Sequence, residues 1–191
     1  KRSLPASKLP HLILEGSPGT GKTTIVRQLG RIMHDEGILS VGHVVLAYRS
    51  DLIADVIGGT AIKVQRLLDQ AENGILFIDE AYDLCKDHDS GGNADTFATE
   101  AVTTLVNAMT DDSRHVLIVF AGYRCSAPGA TDGVQGLFLM NPGLESRIKK
   151  ILSIPDYGPE TLMDIFFDIL KEHNLSLADD LSREDILTYS K

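Results

Sequence analysis

The chain has 191 residues, of which 27 are acidic and 18 basic, for a formal net charge of −9. This length holds one α/β core and the start of a second unit, and the acid excess, with no strongly basic window, argues against nucleic acid as the main ligand. No apolar run approaches the ~20 residues that span a bilayer, and Cys85 and Cys125 fit no metal or disulfide pattern, so no membrane is expected and a reducing cytoplasm is the expected compartment.

Residues 1–10 (KRSLPASKLP) are basic and proline-punctuated and read as a linker. Leu12–Glu15 is an apolar strand running into Gly16-Ser17-Pro18-Gly19-Thr20-Gly21-Lys22-Thr23, and a helical pattern opens at Thr24. Glycines so placed let the backbone curl until successive N–H groups converge on anionic oxygens, and the following helix adds its positive end. The stretch reads as a phosphate-binding loop. Gly16 through Thr24 are the expected contacts to a nucleoside triphosphate, with Lys22 on its β- and γ-phosphates and Thr23 on Mg²⁺.

Beyond the loop, Ile25, Leu29, Ile32 and Met33 recur at helical spacing, predicting the face that packs on a sheet, and Gly37 ends the helix. Val41–Ala47 suits a second, buried strand. Tyr48–Gly59 reads as a projecting loop, followed by a helix with Val64, Leu67, Leu68 and Ala71 on one face. After the Asn73-Gly74 break, Ile75–Ile78 is a continuous apolar strand.

Residues 86–96 read as a loop, Phe97, Ala101, Leu105, Ala108 and Met109 mark a helix, and Val116–Ala121 is another buried strand. Residues 124–140 read as a loop or short irregular helix, Asn141-Pro142-Gly143 as a turn, and Ile151–Ile154 as a fifth strand. From Pro159 the pattern is helix alone, with Leu162, Ile165, Phe166, Ile169 and Leu170 sharing a face. This order implies an α/β fold with a five-stranded, mostly parallel sheet over residues 11–156, ligands at the carboxyl ends of its strands, and a separate helical segment over 157–191. Starting without methionine and stopping inside a helical pattern, the chain reads as part of a longer protein.

The apolar strand Ile75–Ile78 delivers Asp79 and Glu80 to the edge that carries the phosphate loop. There Asp79 suits holding Mg²⁺ opposite Thr23, and Glu80 suits polarising a water for attack on the γ-phosphate.

Taken together, Gly16–Thr23, Ile75–Glu80 continued by Ala81-Tyr82-Asp83-Leu84, Phe120-Ala121-Gly122-Tyr123, Asn141-Pro142-Gly143 through Ser146-Arg147, and Ile154-Pro155-Asp156-Tyr157 resemble an AAA+ ATPase. The resemblance is to the CbbX and stage V sporulation protein K group, which includes red-type Rubisco activase, and covers residues 11–173. It implies an αβα P-loop sandwich with a helical lid starting at Glu160–His173, here cut short. It also implies ring-forming homo-oligomers, commonly hexamers, that hydrolyse ATP with Mg²⁺ to remodel a protein client. Arg147 then resembles the arginine finger that reaches the nucleotide of a neighbouring subunit, joining Lys22 and Glu80 as catalytic groups.

This chain departs from its relatives at three places. Glu145 stands where relatives often have an arginine, Ala121-Gly122-Tyr123, which the nearer relatives share, leaves the polar sensor of many AAA+ proteins unassigned, and Val56 replaces the aromatic of the pore-lining loop. An aromatic grips a client peptide by area and stacking that valine only partly reproduces. Val56 and Glu145 keep open an alternative from another class, a nucleotide-dependent interaction or scaffold module with slow or no hydrolysis.

Overall fold

The computed structural model describes residues 9–56, 58–85, 95–124 and 133–176. Most of the expected linker, Ile57, most of the 86–96 loop, Cys125, Pro128, Gly129 and the end of the C-terminal segment lie outside the described residues. The chain divides into two compact units, Lys1–Ile154 and Pro155–Lys191.

Among the described residues, five short strands form the sheet of the first unit: β1 Leu12–Glu15, β2 Val44–Ala47, β3 Ile75–Ile78, β4 Leu117–Gly122 and β5 Lys150–Ser153. Their order is β2-β3-β4-β1-β5 and every pairing is parallel. Parallel neighbours need crossovers, and helices supply them on both faces. Helix α1 (Lys22–Asp35) packs with Leu12, Leu14, Ile75, Phe77, Leu117 and Val119. On the opposite face Ile13, Leu76, Ile78, Ile118 and Phe120 meet the helices between β2 and β4. The α/β sandwich read from the sequence is thus the observed architecture.

Burial is concentrated at the centre of the sheet. Every residue of β1, β3 and β4 is buried, whereas β5 is exposed throughout and β2 is only partly covered. The expected buried second strand is therefore shorter than Val41–Ala47 and lies at an open edge, with Leu46 40% exposed. Leu9, which falls in the expected linker, is fully buried with the β1 residues.

Helix α1 bears out Leu29 and Met33 of the expected face, which pack on the core, and corrects Ile25 and Ile32. Val26, Gly30 and Met33 are buried, while Ile25 and Ile32 are 38% and 58% exposed. The reason is Gly30: a Cβ there would stand 2.2 Å from the Gly42 carbonyl oxygen, so the helix makes its closest approach at this residue and turns Val26 and Met33 inward with it. The helix ends as expected at Gly37, whose φ of 71° lets its N–H reach His34 O and the next N–H, of Ile38, reach Met33 O, both at 2.8 Å.

The expected loop 48–59 contains a short helix, α2 (Arg49–Leu52), started by the Asp51 carboxylate accepting the Tyr48 N–H at 2.9 Å. Helix α3 (Gly59–Gln70) follows with Val64, Leu68 and Ala71 buried as expected. Buried Thr60 accepts the Ala54 N–H at 3.1 Å and ties down the intervening segment, on which Val56 is 66% exposed. Helix α4 (Thr96–Ala108) is capped by Asp95, which accepts the Phe97 N–H at 2.8 Å. After β4 come a 3-10 turn (Val134–Gly136), α5 (Leu137–Met140) and α6 (Gly143–Arg147). The second unit contains α7 (Pro159–Glu172), which opens on a proline and displays Leu162, Ile165, Phe166 and Ile169 on one exposed face.

Candidate nucleotide site

The loop after β1 is shaped by two glycines in the left-handed region, Gly19 at φ 81° and Gly21 at φ 83°. Only glycine takes this conformation without strain. Gly21 is the N-cap of α1, so the unpaired N–H groups of the first helical turn face the loop, and no acid lies in that turn to compete for them. Thr20 turns inward, 4% exposed, and its hydroxyl donates to Ser17 O at 2.8 Å, cross-bracing the loop. Gly16 donates its N–H to Gly122 O at 3.0 Å, anchoring the loop to β4. The Lys22 ammonium donates to Gly16 O and Ser17 O, each at 2.9 Å, which holds its charge over the mouth of the loop.

Across from the loop, buried β3 ends in Asp79, whose N–H bonds Ala47 O at 3.0 Å and continues the ladder one residue past the strand. Glu80 then adopts φ 51°, which few residues other than glycine adopt. Two bonds hold it there: its N–H donates to Asp79 Oδ1 at 3.0 Å, and its carbonyl accepts the Asp83 N–H at 2.8 Å. The turn aims consecutive carboxylates into one space, because the left-handed residue breaks the alternation of a strand.

That space is a cleft of about 380 Å³ lined by Gly16, Pro18, Gly19, Gly21, Lys22, Thr23, Thr24, Asp79 and Glu80. Tyr82, Gly122 and Tyr123 complete it. Ser17 and Thr20 shape the loop without lining the cleft. The two tyrosine rings lie 4.2 Å apart at 44° and form an aromatic wall, and Gly122 leaves room for it: a Cβ there would sit 2.8 Å from Tyr82 Cδ1. Sequence reading missed this wall. Its signal was present, since an aromatic stands two residues beyond Glu80 and another directly after the β4 glycine.

Glu15 was also missed. It is 2% exposed at the end of β1, accepting from Ser153 Oγ at 3.0 Å and from Gln135 Nε2, so it ties the root of the phosphate loop to β5 and to the turn before α5. An acid closing an apolar run was the visible clue.

A model of the "ATPase family associated with various cellular activities (AAA)" matches residues 12–132. The chain belongs to this AAA family. It is similar to stage V sporulation protein K of Bacillus subtilis, 38% identical over 168 residues that make up 88% of this chain and 48% of that protein. It is also similar to the chloroplastic ribulose bisphosphate carboxylase/oxygenase activase of Cyanidioschyzon merolae, 35% identical over 170 residues, 89% of this chain and 52% of the relative. Protein CbbX of Cereibacter sphaeroides is 34% identical over 168 residues, 88% and 51% of the two chains. Among AAA proteins the chain thus falls in the CbbX and stage V sporulation protein K group, and it spans about half the length of the curated relatives it matches. Membership implies nucleotide binding, and the cleft is where this AAA chain gathers the groups for it.

Arg147 is not among those groups. It closes the five-residue α6, donating from Nη1 to Gly143 O at 2.7 Å and to Ser146 Oγ at 3.3 Å. It lines a separate cavity of about 230 Å³ with His11, Met109, Thr110, Ser146 and Lys149. Its Nε is buried and makes no hydrogen bond. The expected turn at Asn141-Pro142-Gly143 is present, with Asn141 Oδ1 accepting the Gly143 N–H at 2.9 Å. Among the described residues no helix is long and apolar enough to cross a membrane.

Proposed function

We propose that this chain is the nucleotide-hydrolysing core of a AAA+ protein that cleaves ATP to ADP and phosphate as a ring-shaped homo-oligomer, commonly a hexamer, and uses the cycle to remodel a protein client. The observation that carries this reading is the single cleft in which the phosphate loop, Lys22 and Thr23 face Asp79 and Glu80. The loop N–H groups and Lys22 balance phosphate charge. Glu80, on its strained turn, accepts a proton from the attacking water. Arg147, absent from its own cleft, is assigned to the site of the next subunit, where a guanidinium offsets charge on the transferring phosphoryl group.

The donor set suits Mg²⁺. Thr23 offers a hydroxyl and Asp79 a carboxylate, hard oxygens of the kind this ion takes in company with phosphates and water. When bound, the ion neutralises charge between the β- and γ-phosphates. The absence, among the described residues, of any cluster of three or more His, Cys, Asp or Glu is compatible with this, because Mg²⁺ sites of this kind use one or two carboxylates and leave the rest to substrate. A cytoplasmic location goes with this reading.

Two of the relatives are named as activases of ribulose bisphosphate carboxylase/oxygenase, which makes a protein client the natural object of the work. The test is steady-state ATP turnover by the full-length protein with Mg²⁺. Turnover abolished by Glu80→Gln supports the reading; ATP bound tightly but never cleaved, with oligomer size following nucleotide occupancy, supports the interaction-module alternative. That alternative draws on Val56 at the exposed loop and on Arg147 being folded onto its own helix.

A further inference from the structure

The edge of the sheet at β2 carries a surface that nucleotide chemistry does not use. Among the described residues β2 pairs only with β3. His43 O accepts the Ile75 N–H at 2.7 Å and Ala47 O accepts the Asp79 N–H at 3.0 Å, so alternate residues along this stretch turn their peptide groups toward β3. The residues between them, Val44 and Leu46, consequently turn their N–H and C=O groups outward, where another strand can pair.

Arginines line both faces of this open edge. On one face a groove of about 600 Å³ is walled by Arg27, Arg31, His34 and His43, with Asp35 its single acid. On the other face Arg66 and Lys63 line a groove of about 400 Å³ that also contains Asp51. Lys63 donates to Ser50 O and Ile53 O at 3.1 and 2.7 Å and Asp51 accepts the Tyr48 N–H, whereas Arg66 makes no hydrogen bond or ion pair among the described residues. None of Arg27, Arg31 and Arg66 forms an ion pair among the described residues. Behind the first groove the Gly30–Gly42 contact is reciprocal, a Cβ on Gly42 meeting Gly30 O at 2.3 Å, so the backbone of α1 lies close to the chain that enters β2.

We propose that β2 is a docking edge for an acidic, extended peptide of a partner protein, paired as an added strand through Val44 and Leu46. Side chains of an extended peptide alternate between faces, so acids at successive positions meet Arg27 and Arg31 on one side and Arg66 on the other. In a chain of net charge −9, three arginines along one strand edge that form no ion pair among the described residues let that edge select its partner by charge. This proposal stands apart from hydrolysis, since none of these residues lines the phosphate cleft.

The test is fluorescence anisotropy of the full-length protein with a dye-labelled peptide that repeats Glu-Glu-Thr-Thr, which puts acids on both faces of the added strand, and with its lysine-for-glutamate counterpart. The glutamate peptide binds, more weakly as salt rises, and the lysine peptide does not. Arg27→Glu with Arg31→Glu weakens binding at least about tenfold. Val44→Pro, which removes an outward N–H and no ladder bond, does the same, while both variants bind ATP as the parent does. In the parent, bound peptide slows hydrogen exchange at the Val44 and Leu46 amides, a readout that stands even if Val44→Pro fails to fold. The proposal is overturned by no binding of the glutamate peptide at low salt, by unchanged exchange at those amides, or by self-association of the chain that the arginine variant abolishes in the absence of peptide binding.

Discussion

The phosphate cleft and the Arg147 segment are both arrangements of charge, and they are built in opposite ways. In the cleft every group hangs from the end of a buried strand or from the first turn of α1, so neighbouring elements set its position: Glu80 by bonds to Asp79 and Asp83, Lys22 by two loop carbonyls. Arg147 ends a five-residue helix and spends its hydrogen bonds on that helix, in a cavity of its own. A parallel sheet gathers strand ends at one edge and can complete a cleft inside one subunit. Arg147 lies outside that edge and is held by bonds within its own short helix. The comparison teaches that the cleft is internal and preorganised, whereas on the proposed reading Arg147 would act only in an assembly.

The strongest way to break that contrast is Arg147→Ala. If the residue serves a neighbour, turnover falls by roughly 10³-fold or more with ATP affinity retained. Mixing this variant with Glu80→Gln then restores activity, because intact clefts of the first meet intact arginines of the second. An unmixed loss that mixing cannot repair puts Arg147 back into its own subunit.

Glu80→Gln itself is expected to lower turnover by about 10²- to 10⁴-fold, and equilibrium binding of ATP persists because phosphate contacts are untouched. Lys22→Ala acts earlier, weakening ATP affinity by roughly 10- to 100-fold through lost charge-assisted bonds, as isothermal calorimetry measures.

Smaller effects sharpen the comparison. Gly143→Ala brings a methyl to 3.0 Å from Arg147 Nη1 and 2.9 Å from Asn141 Oδ1. It displaces the guanidinium without removing it, so turnover drops by a factor well below that of Arg147→Ala and nucleotide affinity is unchanged. Tyr123→Ala, which opens one wall of the cleft, is expected to change ATP affinity by a few-fold at most, about 1 kcal/mol.

Much of the cleft was legible residue by residue. Glycine at 19 and 21 announces backbone that only glycine takes comfortably, and the run Ile75–Ile78 before Asp79 announces a strand buried on both faces. The corner at Glu80 was not legible, because its left-handed turn depends on bonds from Asp79 and Asp83 that no spacing rule reveals. The face of α1 misled for a similar reason. Ile25 and Ile32 satisfy helical periodicity, yet contact at Gly30 with Gly42 rolled the helix toward Val26 and Met33.

By itself, then, the sequence determined the parallel α/β class, the phosphate loop and the acid pair, all of which rest on local chemistry: glycine conformation, apolar run length and the residue that ends a strand. The tertiary structure alone decided which strands are edges, that Tyr82 and Tyr123 wall the cleft, that Glu15 braces its root, and that Arg147 stands outside it. Each of these depends on which distant element a residue meets, and packing, not residue type, sets that partner.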